Sequence, residues 1–365
     1  MSRVHPPPVS ETRMSHPEGA PSITTFRGRL RALLEAERRE GRHSDVVVLA
    51  VDGIPHDLAL AAWRHARVSA MRSVFPTTSS TAWLSSLTGL DVGRHGIPGV
   101  VFLGPEGTTL NVFQHRGPLG VPDSGNIFSD AEEAGYHPMA VLGDWEPFDC
   151  TWRDVLLRSA HRVRGHRFYT EPAHAHAEPS ERARSVLDAL SRCLETPSER
   201  PRLVWCFIDA DQHIHHWGYD EPLVRFLECL DDLALQLTAR GVRVLAHSDH
   251  GLTPTRHLPE LERHLDHLQA EHDGVLGGAG RTRWFHVPPA REDRLVSALE
   301  RALPASVRIC PADAVFEPGS LALGRVGRVV LIAEGDEFLT FSGHRFEHGS
   351  TTQVELAVPF ARWLE

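Results

Sequence analysis

A chain of 365 residues, 41% of them hydrophobic, is long enough to bury one large α/β core or two ordinary ones. Its formal net charge of -10 argues against a nucleic-acid polymer or an anionic membrane as partner, because both call for a basic surface. Lysine is absent, so arginine carries every fixed positive side-chain charge, and neither a P-loop lysine nor a Schiff-base lysine is available.

Residues 1–22, rich in Pro, Ser and His, read as a disordered arm. They lack the apolar core of a signal peptide, and no run of about 18 apolar residues follows that could span a bilayer. Cys150, Cys193, Cys206, Cys229 and Cys310 are odd in number and contain no C-x-x-C pair, which suggests reduced thiols. Together these features predict a cytoplasmic protein.

Residues 24–42 carry Phe26, Leu30, Leu33 and Leu34 at helical spacing. "DVVVLAVDG" then reads as a strand buried on both faces that stops on Asp52-Gly53. A helix near 56–65 and a short strand near 68–74 lead to "FPTTSSTAWLSSLTGL". There Thr77, Thr78, Ser79 and Ser80 stand ahead of a helical pattern ending at Gly89. Such a cluster can cap the helix, or it can hold a nucleophilic hydroxyl where the helix N-terminus favours an anion.

Residues 100–123 read as a loop or hairpin, 124–147 as a helix and a strand, 153–164 as a helix, and 180–194 as a helix. His174 and His176 fall in a polar loop. "RLVWCFIDADQHIHHWGYD" is a second apolar strand running into acids and histidines, with Asp211 and His215 close enough in a turn to share an ion. After a helix over 221–240, "VRVLAHSDHG" is a third, ending on Asp249-His250-Gly251. Three strands ending on ligand-type residues fit an open α/β sheet, whose ligands gather at the carboxyl edge. A helix over 258–270, a strand over 282–287, a further helix and strand, and a hairpin with "EGDE" at its turn complete residues 270–340. "GHRFEHGSTTQVELAVPF" then supplies His344 and His348.

The candidates are Asp52, a hydroxyl among Thr77 to Ser80, Asp211 with His215, Asp249 with His250, and His348. Six oxygen or nitrogen ligands without thiolate suit two divalent ions, zinc first and manganese second. Such a pair polarises phosphoryl oxygens and activates a hydroxyl.

In these motifs, "VDG", "FPTTSS…LTGL…HGI", "DADQHIHHWG", "SDHG" and "EHG…VPF", the chain resembles the alkaline phosphatase superfamily. It is most similar to the type I phosphodiesterase/nucleotide pyrophosphatase branch, across residues 45–360. The resemblance implies a mostly parallel central sheet with helices on both faces and a smaller inserted α+β subdomain. It implies one metal site of Asp211, His215 and His348, another of Asp52, Asp249 and His250, and Ser79 as nucleophile with Thr78 in reserve. It also implies hydrolysis of a phosphodiester or pyrophosphate bond in a small phosphorylated or nucleotide-like substrate, through a phosphoryl-serine intermediate.

Two features depart from the family pattern. Where many members carry an asparagine three residues after the nucleophile, this chain has Ala82, so the oxyanion contact must come from elsewhere, with the backbone amides of the helix as candidates. The Asp211/His215 pair is also embedded among Asp209, His213 and His216: His213 or His216 can in principle take the place of His215, and all three read first as orienting or structural residues. Phosphomonoester or phosphonate hydrolysis on the same scaffold is the competing reading, and a non-catalytic binding member is the third. Specificity is expected from cap-like insertions at 100–200 and 270–340 of a single catalytic domain over 23–365, with Arg94, Trp217 and Arg256 near the motifs.

Overall fold

Val46–Val51 (β1) is a run of six apolar residues, all buried, too short for a helix and β-branched enough to favour an extended chain. Its side chains alternate between two cores: Val46, Val48 and Ala50 enter one, and Val47, Leu49 and Val51 enter the other. A strand buried on both faces belongs in the middle of a parallel sheet covered by helices. Each buried Val or Leu contributes about 1.5–3 kcal/mol, enough to offset the roughly 1–2 kcal/mol of backbone entropy lost per ordered residue.

The computed structural model describes residues 19–169 and 178–363. Residues 1–18 of the expected arm, and His174 and His176, lie outside the described residues. Around β1 the chain runs α1 (Phe26–Arg39), α2 (His56–Ala62), β2 (Ala66–Arg72), α3 (Ser79–Thr88), α4 (Val92–His95), β3 (Val101–Leu103), β4 (Thr109–Asn111), α5 (Ile127–Glu133) and β5 (His137–Val141). It continues through α6 (Thr151–Leu156), β6 (His161–Val163), α7 (Pro179–Glu195), β7 (Arg202–Ile208), α8 (Asp211–Trp217), α9 (Glu221–Ala239) and β8 (Arg243–His247). Then come β9 (Thr253–Pro254), β10 (Arg256–His257), α10 (Pro259–Glu271), β11 (Val275–Ala279), β12 (Thr282–His286), α11 (Glu292–Ala302) and β13 (Val307–Pro311). The last elements are β14 (Val329–Ala333), β15 (Glu337–Phe338), β16 (Phe346–Glu347), α12 (Gln353–Leu356) and β17 (Ala357–Trp363).

The main sheet has seven strands in the order β2-β17-β8-β1-β7-β5-β6. From β8 to β6 every pairing is parallel, whereas β17 runs antiparallel to both of its neighbours, β2 and β8. The apolar stripes of α1, α3 and α5 cover one face, and those of α2, α7 and α9 cover the other. This is the mostly parallel, doubly covered sheet that the sequence implies. A second, antiparallel sheet of six strands, β13-β14-β12-β11-β3-β4, carries its own core beneath α10 and α11. No helix among the described residues is long and apolar enough to cross a membrane, and all five cysteines are free.

Three local expectations differ from the structure. Only β3 and β4 of the stretch 100–200 join the second sheet, while β5 and β6 extend the main one. This stretch is therefore not a single cap: Pro138 to Val141 are apolar enough to be buried beside β7. The helix expected over 153–164 stops at Leu156, Ser159 takes a positive φ of 69°, and His161–Val163 pairs with β5 instead. The hairpin expected around "EGDE" does not form, because β15 turns away from β14 to pair with β10.

Candidate metal and phosphoryl-transfer site

Parallel pairing puts the ends of β8, β1 and β7 side by side, so the residues after each strand meet above one edge of the sheet. Asp52 follows β1, Asp211 opens α8 just beyond β7, and Asp249-His250 follow β8. Asp211 and His215 lie on a helix rather than in the expected turn, and their i,i+4 spacing turns both to one side. The motif glycines are required by the crowding this creates. Gly53 has φ 80°, and a Cβ there would lie 3.0 Å from the Cα of Asp211. At Gly251 a Cβ would collide with the carbonyl of Val354.

Two acid/histidine triads result: Asp211, His215 and His348, and Asp52, Asp249 and His250, each offering ligand atoms within 4.8 Å of one another. In the first, His215 Nε2 lies 2.9 Å from Asp211 Oδ2. His215 donates its Nδ1 proton to the carbonyl of Phe346 at 2.8 Å, and His348 donates its own to the carbonyl of Thr77 at 2.8 Å. A carbonyl only accepts, so these bonds aim the Nε2 lone pairs of both rings into the triad, as oriented metal ligands require. The second triad is tighter in burial, with Asp249 and His250 fully buried. His250 Nε2 stands 3.2 Å from Asp249 Oδ2 and 3.7 Å from Asp52 Oδ1. The rings of His250 and His348 stack at 4.0 Å and join the two triads.

The electrostatics of this cluster call for cations. Burial, with Asp211 nearby, pushes the Asp52 carboxyl up to about 7. Burial and the neighbouring Asp52 push Asp249 well above the usual carboxylate range. Burial, aided by His348, holds His250 well below the ordinary histidine value. Burial opposes the charged forms of Asp211 and His215 too, but the pair overcomes it: Asp211 is held below the carboxylate range and His215 rises to about 10. Asp52 Oδ1, Asp211 Oδ1, Asp249 Oδ2 and His250 Nδ1 are buried without a hydrogen-bond partner among the described residues. Three buried carboxylates carrying orphaned oxygens are costly unless a cation compensates them. The donor set of carboxylate oxygen and imidazole nitrogen fits divalent ions in both triads.

Ser79 is the first residue of α3, and its Oγ lies 3.1 Å from His250 Nε2. Thr78, at the N-cap, turns its hydroxyl instead to Ser80 and Thr81, at 3.2 and 3.0 Å, and makes no capping bond. Thr77 clamps the His348 loop by donating to the carbonyl of Ser350 and accepting from the amide of Gly349. Ala82 is fully buried one turn along α3. The amides of Thr81 and Ala82 bond the carbonyl of Thr78, while those of Ser79 and Ser80 have no hydrogen-bond partner among the described residues, which leaves these two available to an anion at Ser79.

Among the neighbouring candidates, Asp209 accepts from the amide of Gln212, His213 pairs with Asp220, and His216 faces the carbonyl of Gly343. These three sit outside both triads. His344 stacks on His215 at 4.1 Å and forms a third acid/histidine group with His215 and Glu347. Since His215 Nδ1 is already committed to Phe346, this group supports the first triad rather than making an independent one. Arg94 and Trp217 are exposed, and Arg256 pairs with Glu337. None of the three lines the cavity that opens over Ser79.

That cavity, of about 690 Å³, lies between the two sheets. Asp52, Ser79, Asp211, His215 and His348 form one end, while Phe113, Trp145, Phe148, Leu276 and Phe341 make an apolar wall. Glu347 and Trp83 are site residues that sequence reasoning missed. Glu347 stands beside His348 in "EHG", a signal that was in plain sight. Trp83 sits in a helical pattern that reads as core, yet it donates Nε1–H to Asp52 Oδ2 at 3.0 Å. Trp83→Phe keeps most of the buried ring and removes this bond, so metal affinity at the Asp52 triad is expected to fall about 10- to 100-fold. Competition with a calibrated chelator measures it.

The sequence matches the type I phosphodiesterase / nucleotide pyrophosphatase family over residues 46–350. Among curated proteins no match was found. Murine ectonucleotide pyrophosphatase / phosphodiesterase 5 is similar in fold, with a TM-score of 0.63 at 18% identity over 87% of each chain. The human protein of the same name gives a TM-score of 0.60 at 17% identity, also over 87% of each chain. Phosphonoacetate hydrolase from Sinorhizobium meliloti 1021, solved with phosphonoformate, gives 0.63 at 16% identity over 88% of this chain and 90% of its own. The triads, the adjacent serine and a family match over most of the chain thus converge: this protein belongs to the type I phosphodiesterase / nucleotide pyrophosphatase family, phosphoric ester hydrolases of the alkaline phosphatase superfamily.

Proposed function

We propose that the protein hydrolyses a phosphodiester or pyrophosphate bond of a small phosphorylated substrate through a phosphoryl-serine intermediate on Ser79. The observation that carries this reading is the Ser79 hydroxyl, 3.1 Å from His250 at the N-terminus of α3 and beside both triads. Two divalent cations, one held by Asp52, Asp249 and His250 and the other by Asp211, His215 and His348, would supply Lewis-acid stabilisation of phosphoryl oxygens. The mixed imidazole and carboxylate donors favour zinc, with manganese second.

The protein's own residues do the rest. Ser79 loses its proton, and its Oγ forms a bond to phosphorus in line with the departing oxygen, which leaves with the electrons of the broken P–O bond and takes up a proton. Water then cleaves the Oγ–P bond and returns the proton to Ser79. The α3 amides face the charge that accumulates on the phosphoryl oxygens, a contribution that costs no reorganisation during the reaction. The Nδ1 bonds of His215 and His348 fix ring orientation throughout. The apolar cavity wall suits an organic substituent on the phosphate, and the family match supports diester over monoester substrates. Five free cysteines support a reducing compartment, the cytoplasm.

Zinc-loaded protein assayed in parallel on an aryl phosphomonoester, a phosphodiester and a phosphonate is expected to favour the diester in kcat/KM by about tenfold or more. A preference of that size for the monoester or the phosphonate would replace this reading with the corresponding hydrolase.

A further inference from the structure

We propose that Arg283 binds a second anionic group of the substrate, a carboxylate or a phosphate separate from the one being cleaved, and thereby selects multiply charged substrates. The inference rests on the hydrolytic reading above and deepens it. Arg283 lies on β12 of the second sheet and lines the same cavity as Ser79, Asp211 and His348. Across the ladder stands Gly278, which brings no side chain beside it.

Other inward arginines have partners. Arg281, two residues earlier, bonds Thr255 and the carbonyl of Ala333 and pairs with Glu355. Arg153 bonds the carbonyls of Trp145 and Glu146, and Arg325 bonds that of Gly96. Arg283 makes no hydrogen bond and no ion pair among the described residues, although burial is enough to pull its pKa down. Arg283 is half-buried; a partly desolvated guanidinium without a partner is unfavourable, and an anion presented in the cavity relieves it.

The nearby acids are already committed. Glu347 accepts from Thr340 and from the amide of His348, Asp209 accepts from the amide of Gln212, and Glu262 faces His257 at 3.3 Å. Arg283 is the one arginine among the residues lining this cavity, and the chain has no lysine to share the task. Phe341 and Leu276 line the same cavity as Arg283 and the triads, so a bound substrate would present its charges at two places joined by an organic spacer. The planar, five-donor guanidinium suits either carboxylate or phosphate.

The test compares kcat/KM on two aryl phosphodiesters that differ only in a terminal carboxylate on the second ester group, and on a third ending in a phosphonate. Wild type is expected to prefer a charged member, and Arg283→Gln to lower the ratio of charged to uncharged substrate about tenfold, with Arg283→Lys recovering part of it. Calorimetry with 3-phosphonopropionate, methylenediphosphonate and ethylphosphonate reads the same contact without turnover, so it stands even if the esters are not hydrolysed. There Arg283→Gln should weaken one or both of the first two about tenfold relative to the third. The substrate arm that responds identifies the second anion as carboxylate or phosphonate. An unchanged ratio in both measurements overturns the proposal. Absence of turnover with the binding ratio intact in wild type and lost in Arg283→Gln overturns the hydrolytic reading alone.

Discussion

Ser79→Ala is expected to lower kcat on an aryl phosphodiester by about 10⁴-fold, because it removes the atom that bonds to phosphorus rather than a group that assists it. Ser79 is only partly buried and its hydroxyl meets the polar groups of His250 and Asp52, so the truncation opens no core cavity. Metal content and melting temperature should stay close to wild type. Thr78→Ala is the informative control. It cuts a hydroxyl bonded to Ser80 and Thr81 inside the loop, and its effect on kcat should be no more than about tenfold, alongside a stability loss of about 1 kcal/mol. Full turnover by Ser79→Ala in metal-replete buffer, or a deeper loss in Thr78→Ala, would reassign the nucleophile.

The second large effect concerns Asp249→Asn. Asparagine keeps an acceptor for the amide of Gly53, which Asp249 Oδ1 meets at 3.4 Å, but it removes the negative charge from the Asp52 triad. Bound metal should drop by about one ion per chain, and kcat/KM should fall about 10³-fold. Stability should move the other way when metal is stripped. The metal-free wild type holds Asp52 and Asp249 together in a buried site, where burial and the neighbouring Asp52 push the Asp249 carboxyl up, and Asp249→Asn relieves that strain. Melting curves with and without chelator should therefore cross, the variant being higher without metal and the wild type higher with zinc. Unchanged metal content together with unchanged turnover would remove Asp249 from the site.

Much of this arrangement could be read from the chain because its ends are abrupt. The runs before Asp52 and Asp209 are apolar without interruption, and the run before Asp249 keeps Val244, Leu245 and Ala246 at its centre; such strands have one place to go, the buried middle of a parallel sheet. Once those three strands are neighbours, five of the six triad residues follow from positions close to a strand end, and His348 alone comes from a distant segment. What could not be read is pairing that depends on partners far away. Nothing local in "EGDE" shows that Glu337 and Phe338 will pair with Arg256 and His257 instead of folding back. Leu156 and Leu157 suit a continuing helix as well as the break that Ser159 imposes. Trp83 and Arg283 were hidden for another reason. A tryptophan in an apolar stripe and an arginine in a strand look ordinary until the third dimension sets one against Asp52 and leaves the other without a counter-ion.

The one reversed strand has a consequence for how the site comes into being. β17 lies between β2 and β8, so within the sheet the strand that leads to Ser79 and the strand that leads to Asp249 are joined through residues 357–363, while Ser73 and Ser79 touch the Asp249-His250 turn directly. His348 also arrives only shortly before them. On the ribosome, where the amino-terminal part of a chain folds first, more than 350 residues must be made before the sheet can close around its last-inserted strand. Until then the sheet lacks the strand that joins β2 to β8. The order of synthesis thus leaves the completion of the site to the last residues made: a chain that already carries Ser79, Asp52 and Asp249 still waits for the strand that lies between β2 and β8.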